Sequence, residues 1–431
     1  MTKQFSLPRG TADILPSEIP LWQQVENRAR NLLKIYSFSE IRTPIYEDIG
    51  LFKRSLGQTS DVVNKQLLEI APLVAAGEEK KESEYALRPE GTAAVVRSYI
   101  ENRLDAKEGL SKLFYIGPMF RGERPQKGRF RQFHQIGLES IGPNSASPFL
   151  DAEMIGTSVR LLHEFGISQF TLKLNSLGTQ EDKENFSKLL REKIKPKLSE
   201  LCEDCQSRFE RNVFRVLDCK NAGCRQIVDS FKFSDEHLSA PSRDYFKQVR
   251  DAVSSLSISY EYDPKLVRGL DYYTHTVFEF VGSSLGSQDA LGAGGRYNNL
   301  VTDLGGPQAA DAVGVAFGIE RILLAMPPET KTAPPGLDAF MVALGETAFK
   351  RAFVIMDFMR KGNIASDMIS RLGASMKSQM RQADKQQVRY VLILGEDEEK
   401  SQSVVVKNMS TGDQELVGWD EVVEFLKKKL K

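Results

Sequence analysis

Four cysteines and two tryptophans are all this 431-residue chain holds of either type, and no run of about 18 apolar residues occurs. The missing run excludes a membrane-spanning helix. Four cysteines at this length exclude a disulfide scaffold, and all four fall between Cys202 and Cys224. Residues 1–16 lack a basic flank followed by an apolar stretch, so they are not a secretory signal, and a cytoplasmic location is expected. Charge of one sign is not in excess either. Lys plus Arg and Asp plus Glu both number 58, so any contact with nucleic acid must rest on a local basic element. Internal repeats and low-complexity tracts are absent. What is present is ordinary for a globular chain, with 41% hydrophobic and 27% charged residues. The length suggests about two to four domains.

Residues 21–36 carry Leu21, Val25, Ala29, Leu32, Leu33 and Tyr36 at helical spacing. Residues 41–45 read as a short strand that Pro44 confines to an edge or an irregular end. The charged run at 78–84 reads as a solvated hairpin or loop tip. Residues 112–121 and 131–142 read as two strands joined by an arginine-rich loop, and 274–281 as a further strand. Helices flanking hairpin-linked strands predict an α+β domain with a mainly antiparallel sheet. Helices at 182–197 and 244–255 frame a largely helical insertion at about 180–258. Residues 314–326 read as a strand end turning into a helix. Pro327-Pro328 and Pro334-Pro335-Gly336 mark a linker at 327–336. The expected layout is therefore a domain at 1–326, then a small α/β domain at 337–431. In the second domain apolar runs at 339–344, 364–366 and 390–394 alternate with helices at 348–361 and 374–384, which predicts a partly parallel sheet.

Five stretches carry chemistry. Arg121, Arg124, Lys127, Arg129 and Arg131 lie in one loop interleaved with Phe130 and Phe133. Such a loop suits a triphosphate or a nucleic-acid backbone, with ring faces for a base, though a solvated basic hairpin would have the same composition. Gly318-Ile-Glu-Arg321 puts backbone N–H groups and a guanidinium where an anion can bind. Arg88-Pro-Glu-Gly-Thr92 offers a carboxylate and a hydroxyl on a glycine turn, or simply a Thr92 helix cap. Leu266-Val-Arg-Gly-Leu-Asp-Tyr-Tyr273 sets one arginine and two tyrosines beside a strand. Gly292-Ala-Gly-Gly-Arg-Tyr297 reads as a glycine turn open to close backbone approach.

Together, in this order, these stretches resemble the histidyl-tRNA synthetase family, within the class II aminoacyl-tRNA synthetases. The resemblance runs from Pro8-Arg-Gly-Thr-Ala-Asp13 to the last domain. Residues 120–123 with Phe133 resemble class motif 2, and 318–321 motif 3. The other three stretches resemble histidine-specific signatures. The resemblance implies that the chain activates histidine with ATP and transfers it to the 3′ end of tRNA(His), with magnesium, as a homodimer. It implies that Arg121, Arg268 and Arg321 are catalytic, with Arg121 on the α-phosphate, Arg321 on the γ-phosphate and Arg268 opposite Arg121. Phe133 would stack on adenine while Glu123 and Arg129 complete the ATP site. Glu90, Gly91 and Thr92 would hold the α-amino end of histidine. Gln135, Glu139, Tyr272, Tyr273 and Tyr297 would shape its pocket. The stretch 57–61 and Gln66, with glutamines where relatives carry acids, and the long segment 70–84 depart from the family pattern.

A rival reading is a catalytically inactive paralogue that regulates ATP phosphoribosyltransferase, but such chains lose the ATP-binding arginines and the last domain. A pure nucleic-acid-binding module would not need Glu90, Glu139 and Tyr273. Cys202-x-x-Cys205 and Cys219-x4-Cys224 come near zinc-ribbon spacing. The second gap is wider than usual, which favours reduced thiols packed as apolar groups and no metal. In the last domain Arg371, Lys377, Arg381 and Lys385 recur at roughly helical spacing, either as an anticodon-stem contact or as a solvated face.

Overall fold

Why Phe133, Gln135 and Glu139 share a face follows from one strand. Successive side chains on a strand point to opposite faces. Along Gln132–Pro143, Ile136 and Leu138 enter the apolar layer beneath the helices, while Phe133, Gln135 and Glu139 share the other face. The strand lies in an eight-stranded sheet of the computed structural model, which describes residues 5–57, 60, 62–71, 83–126, 128–143, 145–282, 290–307, 310–331 and 336–430. Its order is Ser39–Glu40, Ser111–Phe120, Gln132–Pro143, Ala310–Gly318, Ala290–Arg296, Thr274–Gly282, Phe170–Ser176, Glu261–Tyr262. Only the two outermost pairings are parallel; the rest are antiparallel. The mainly antiparallel α+β expectation is met.

Helix Ile19–Ile35 begins with a proline in its first turn and buries Val25, Ala29, Leu32 and Leu33. It packs with Pro148–Glu164 and Ala240–Ser255 in the layer holding Val313, Val315, Phe317, Phe278 and Phe280. On the opposite face helix Thr92–Glu101 covers part of the sheet, joined by Tyr115, Tyr272, Tyr273 and Tyr297. There the central strand Ala310–Gly318 offers only Gly314, Ala316 and Gly318 toward its neighbours' polar groups, and that lack of bulk leaves a cavity.

Residues 41–45 are not a strand. They run irregularly between Ser39–Glu40 and Tyr46–Asp48, because the Thr43 and Pro44 carbonyls accept from Arg88 Nη1 (2.9 and 3.3 Å) rather than from a neighbouring strand. Tyr46–Asp48 instead joins Tyr85–Leu87 and Leu68–Ile70 in a small three-stranded sheet. Residues 58, 59, 61 and 72–82, which include most of the charged run, lie outside the described residues. So do Lys127 and Pro334-Pro335.

The insertion is helical as expected. Helix Gln180–Ile194 opens on a Thr179–Asp182 capping box, and Glu203–Arg211, Phe214–Leu217, Ala222–Ser230 and Ala240–Ser255 follow.

Main-chain packing divides the chain into residues 1–332 and 333–431. The second unit is a five-stranded sheet ordered Ser366–Met368, Ala339–Ala343, Tyr390–Leu394, Ser403–Asn408, Gln414–Gly418. Its first three strands are parallel and the last two antiparallel. Helix Met376–Lys385 buries Gln379 and Ala383 and leaves Lys377, Arg381 and Lys385 exposed; Arg371 precedes the helix. Among the described residues no helix is long and apolar enough to cross a membrane.

Candidate active site

The sheet, the Arg268–Tyr273 segment and the 121–131 loop enclose a cavity of about 880 Å³. Arg121, Glu123, Arg129, Phe133, Gln135, Arg268, Tyr272, Tyr273, Tyr297 and Arg321 all line it, as do Glu90 and Thr92. Gly91 and Glu139 do not. Gly91 is a packing position, since a Cβ there would sit 2.2 Å from the buried Tyr115 ring.

The cations divide into two kinds. Arg129 pairs with Glu123 (3.2 Å) and Arg268 with Glu279 (3.2 Å). Among the described residues Arg121 and Arg321 enter no ion pair. Arg121 Nε donates to the Pro89 carbonyl (2.9 Å), and its guanidinium lies 5.2 Å from the Phe133 ring centre. Arg321 donates to the carbonyls of Ala290 (2.6 Å) and Gly128 (3.4 Å). Burial lowers the pKa of both, and Arg129 lowers it further. Two half-buried guanidiniums beside a third, without carboxylates of their own, make a demand for an anion. Arg268 differs: burial opposes its charge, but Glu279 and Tyr273 outweigh that and raise its pKa. A carboxylate on Arg268 is what a structural arginine would show, yet here the pair sits in the cavity wall.

Beneath the other end lie two carboxylates. Glu90 accepts from the backbone N–H groups of Thr92 (2.6 Å) and Ala93 (2.9 Å), so Glu90 and not Thr92 caps the helix Thr92–Glu101. The Thr92 hydroxyl is thereby free to donate to Glu139 Oε1 (2.6 Å). Tyr297 donates to Glu139 Oε2. Glu139 is only 1% exposed and stands one side chain behind the cavity surface. Burial pushes its pKa up to about 8, with Glu90 adding to the rise against the two hydroxyl hydrogen bonds. A side chain on Gly314 would lie 1.8 Å from Glu139 Oε2, so only glycine fits opposite. Gln135 Oε1 is buried with no hydrogen-bond partner, an acceptor facing a donor that the protein does not supply.

Residues 292–297 are not a turn. They finish the strand Ala290–Arg296, and the room left by Gly292 and Gly294 is filled by the Phe317 ring and the Gly314 carbonyl. Arg296 is structural: it pairs with the fully buried Asp151 through Nε (2.9 Å) and Nη2 (2.5 Å).

Several residues that hold the site escaped sequence reading. Lys183 Nζ donates to the carbonyls of Asp271 and Tyr273 (both 3.0 Å), Asn212 Nδ2 to Asp271 (3.0 Å), and Arg215 to the Gly269 carbonyl. Nothing local in the sequence marks them. Glu320, inside the quoted Gly-Ile-Glu-Arg stretch, accepts from the His134 backbone (2.9 Å) and from His134 Nδ1 (3.0 Å). Glu279 was detectable as the one charge in Thr-Val-Phe-Glu-Phe.

Comparison with known proteins agrees with this geometry. A family model described as histidyl-tRNA synthetase matches residues 10–322, and one described as an anticodon binding domain matches 338–429. The chain is 42% identical over 421 residues to a histidine–tRNA ligase of Syntrophotalea carbinolica, covering 98% of each. It is 42% identical over 431 residues to that of a Geobacillus species, covering 99% of each. The apo S. aureus histidyl-tRNA synthetase crystal structure is similar with TM-score 0.78 and 35% identity, over 98% of this chain and 100% of that one. The chain belongs to the histidyl-tRNA synthetase family.

Proposed function

We propose that the cavity joins histidine to ATP, giving histidyl-adenylate and pyrophosphate, and that the chain then passes histidine to the 3′ end of tRNA(His). The observation carrying this is the pairing of an unanswered cation cluster with a floor of buried acceptors in one cavity. In the first step a carboxylate oxygen of histidine bonds to the α-phosphorus and the bond to the pyrophosphate oxygen breaks. Both partners are anions and no proton moves, so the site must neutralise charge and fix geometry. Arg121 takes the α-phosphate and Arg321 the γ-phosphate, with adenine on Phe133 and Glu123–Arg129 beside it. Arg268 turns from Glu279 toward the reacting carboxylate and α-phosphate.

Glu90, Thr92 and the unpartnered Gln135 Oε1 receive the ammonium. The ring N–H reaches Glu139 between Thr92 and Tyr297, with Tyr272 and Tyr273 closing around it. Magnesium is a hard ion that takes oxygen ligands, and Glu123 and Glu279 face the cavity where it would sit. Bound there, it would neutralise the departing pyrophosphate. In this reading residues 1–326 carry catalysis and 337–431 bind the anticodon, with Lys377, Arg381 and Lys385 as contacts, and the division near residue 332 supports it. Ile45, Tyr46, Ile70 and Tyr85 remain exposed around the three-stranded sheet, an apolar patch suited to a homodimer contact. ATP and tRNA as substrates support a cytoplasmic location.

The test is ATP–pyrophosphate exchange with each amino acid in turn, without tRNA. Histidine alone should support exchange, and a chain ending at residue 332 should retain it while charging tRNA poorly. Exchange with another amino acid at the same rate, or none with histidine, overturns the reading.

A further inference from the structure

We propose that Cys202, Cys205, Cys219 and Cys224 hold one zinc ion, a structural centre that fixes the insertion against the Arg268–Tyr273 segment. These are the only cysteines in 431 residues, and the fold brings every one of them to a single point. Their sulfurs lie within 4.8 Å of one another, with Cys202 and Cys219 at 3.9 Å. A tetrahedral ion with Zn–S bonds of about 2.3 Å sets sulfurs about 3.8 Å apart, so a contraction of under about 1 Å completes the site. The wide gap between the second pair is no obstacle. Cys219 follows the short helix Phe214–Leu217, and the chain turns through Asn221, which caps the next helix, to return Cys224 to the same point.

The setting suits thiolates. Cys202 occupies the N-cap position of the helix Glu203–Arg211 and Cys205 lies in its first turn, while Cys224 lies in the first turn of Ala222–Ser230. Helix N-termini favour negative charge. The Cys202 backbone N–H already donates to Cys224 Sγ (3.2 Å). Phe186, Leu190, Phe209 and Val216 form an apolar wall around the four sulfurs, and three of the cysteines are buried. On binding, four S–H protons pass to solvent and four Zn–S bonds form. Soft thiolates in a closed set of four select zinc over magnesium.

A role follows from the neighbours. The stretch carrying Cys219 and Cys224 also presents Asp218, Lys220 and Arg225 to the cavity. Asn212 and Arg215, between the two cysteine pairs, hold Asp271 and Gly269. The insertion is thus tied to the segment bearing Arg268, whatever the substrate.

Metal analysis of the full-length protein purified without chelator should find about one equivalent of zinc. The Cys205→Ser/Cys224→Ser variant should hold less than about a tenth of that. In case the variant fails to fold, the unaltered protein supplies two further readouts. Its four thiols should resist a thiol reagent until a chelator is added, and cobalt loaded in place of zinc should give the intense absorption of a tetrahedral thiolate site. Four freely reactive thiols without zinc in protein supplied with zinc would overturn the proposal. Cys–Cys disulfides or bound iron would overturn it equally.

Discussion

Two carboxylates are buried within one domain and met in opposite ways. Asp151, under the helix-covered face, receives both Nε and Nη2 of Arg296, the Thr276 hydroxyl (2.6 Å) and the Tyr245 hydroxyl (3.1 Å). Glu139, under the cavity, receives two neutral hydroxyls and no cation. The first is complete in the folded chain. The second is left with acceptor capacity and a pKa near neutrality, as a group awaiting a donor would be. Satisfied charge marks architecture here, and unused acceptor capacity marks the proposed site. Arginines divide likewise: Arg296 is fully buried in its pair, whereas Arg268 and Glu279 keep about a fifth of their side chains exposed in the cavity wall.

The comparison breaks most visibly at Arg296. Arg296→Met strands the Asp151 charge and should lower unfolding free energy by about 3–5 kcal/mol in denaturant titration. A loss under about 1 kcal/mol would mean that Asp151 is not held by this pair. Arg268→Ala should leave the chain folded and slow adenylate formation by about 10²–10³-fold, roughly 3–4 kcal/mol. Single-turnover kinetics separates the readings, because a transition-state contact alters the rate more than the dissociation constants. Weaker binding of histidine and ATP with a normal activation rate would reduce Arg268 to a binding or structural residue.

A more gradual effect is expected from pH. The Glu139 pKa is raised in the folded chain, from an ordinary 4.5 to about 8. Between these values the unfolded chain binds fewer protons than the folded one, so the stability contribution of Glu139 falls as pH rises and levels off above 8. Glu139→Gln removes this term. The stability of E139Q relative to the parent should therefore climb with pH by up to about 1.4 kcal/mol per unit, then flatten. Parallel stability curves from pH 5 to 8 would show that Glu139 is ionised throughout.

Much of this division was legible in residue order. Phe133, Gln135 and Glu139 sit at even separations on an alternating strand, so their common face followed from periodicity. The arginines of the 121–131 and 318–321 stretches pointed to a candidate anion site before any distance was known, and the structure lines one cavity with Arg121, Arg129 and Arg321. The insertion's clamps were not legible, because Lys183, Asn212 and Arg215 act on a segment more than 50 residues away. Glycines misled in both directions: Gly91 serves Tyr115, and 292–297 pairs as a strand where its composition suggested a turn. The segment 41–45 has the residues of a strand, but Arg88 takes its carbonyls. Such competition for backbone groups is tertiary and leaves no local pattern.

The central claim is that Glu139 is left without a cation in order to receive the histidine ring. Calorimetric binding of histidine to the parent and to E139Q tests it most directly, with ATP binding as the control. Above pH 8, where Glu139 is ionised, a hydrogen bond to this charged acceptor contributes about 1.5–3 kcal/mol, so the histidine Kd should rise about 10- to 100-fold while that of ATP stays unchanged. An unchanged histidine Kd in a folded E139Q protein would contradict the account.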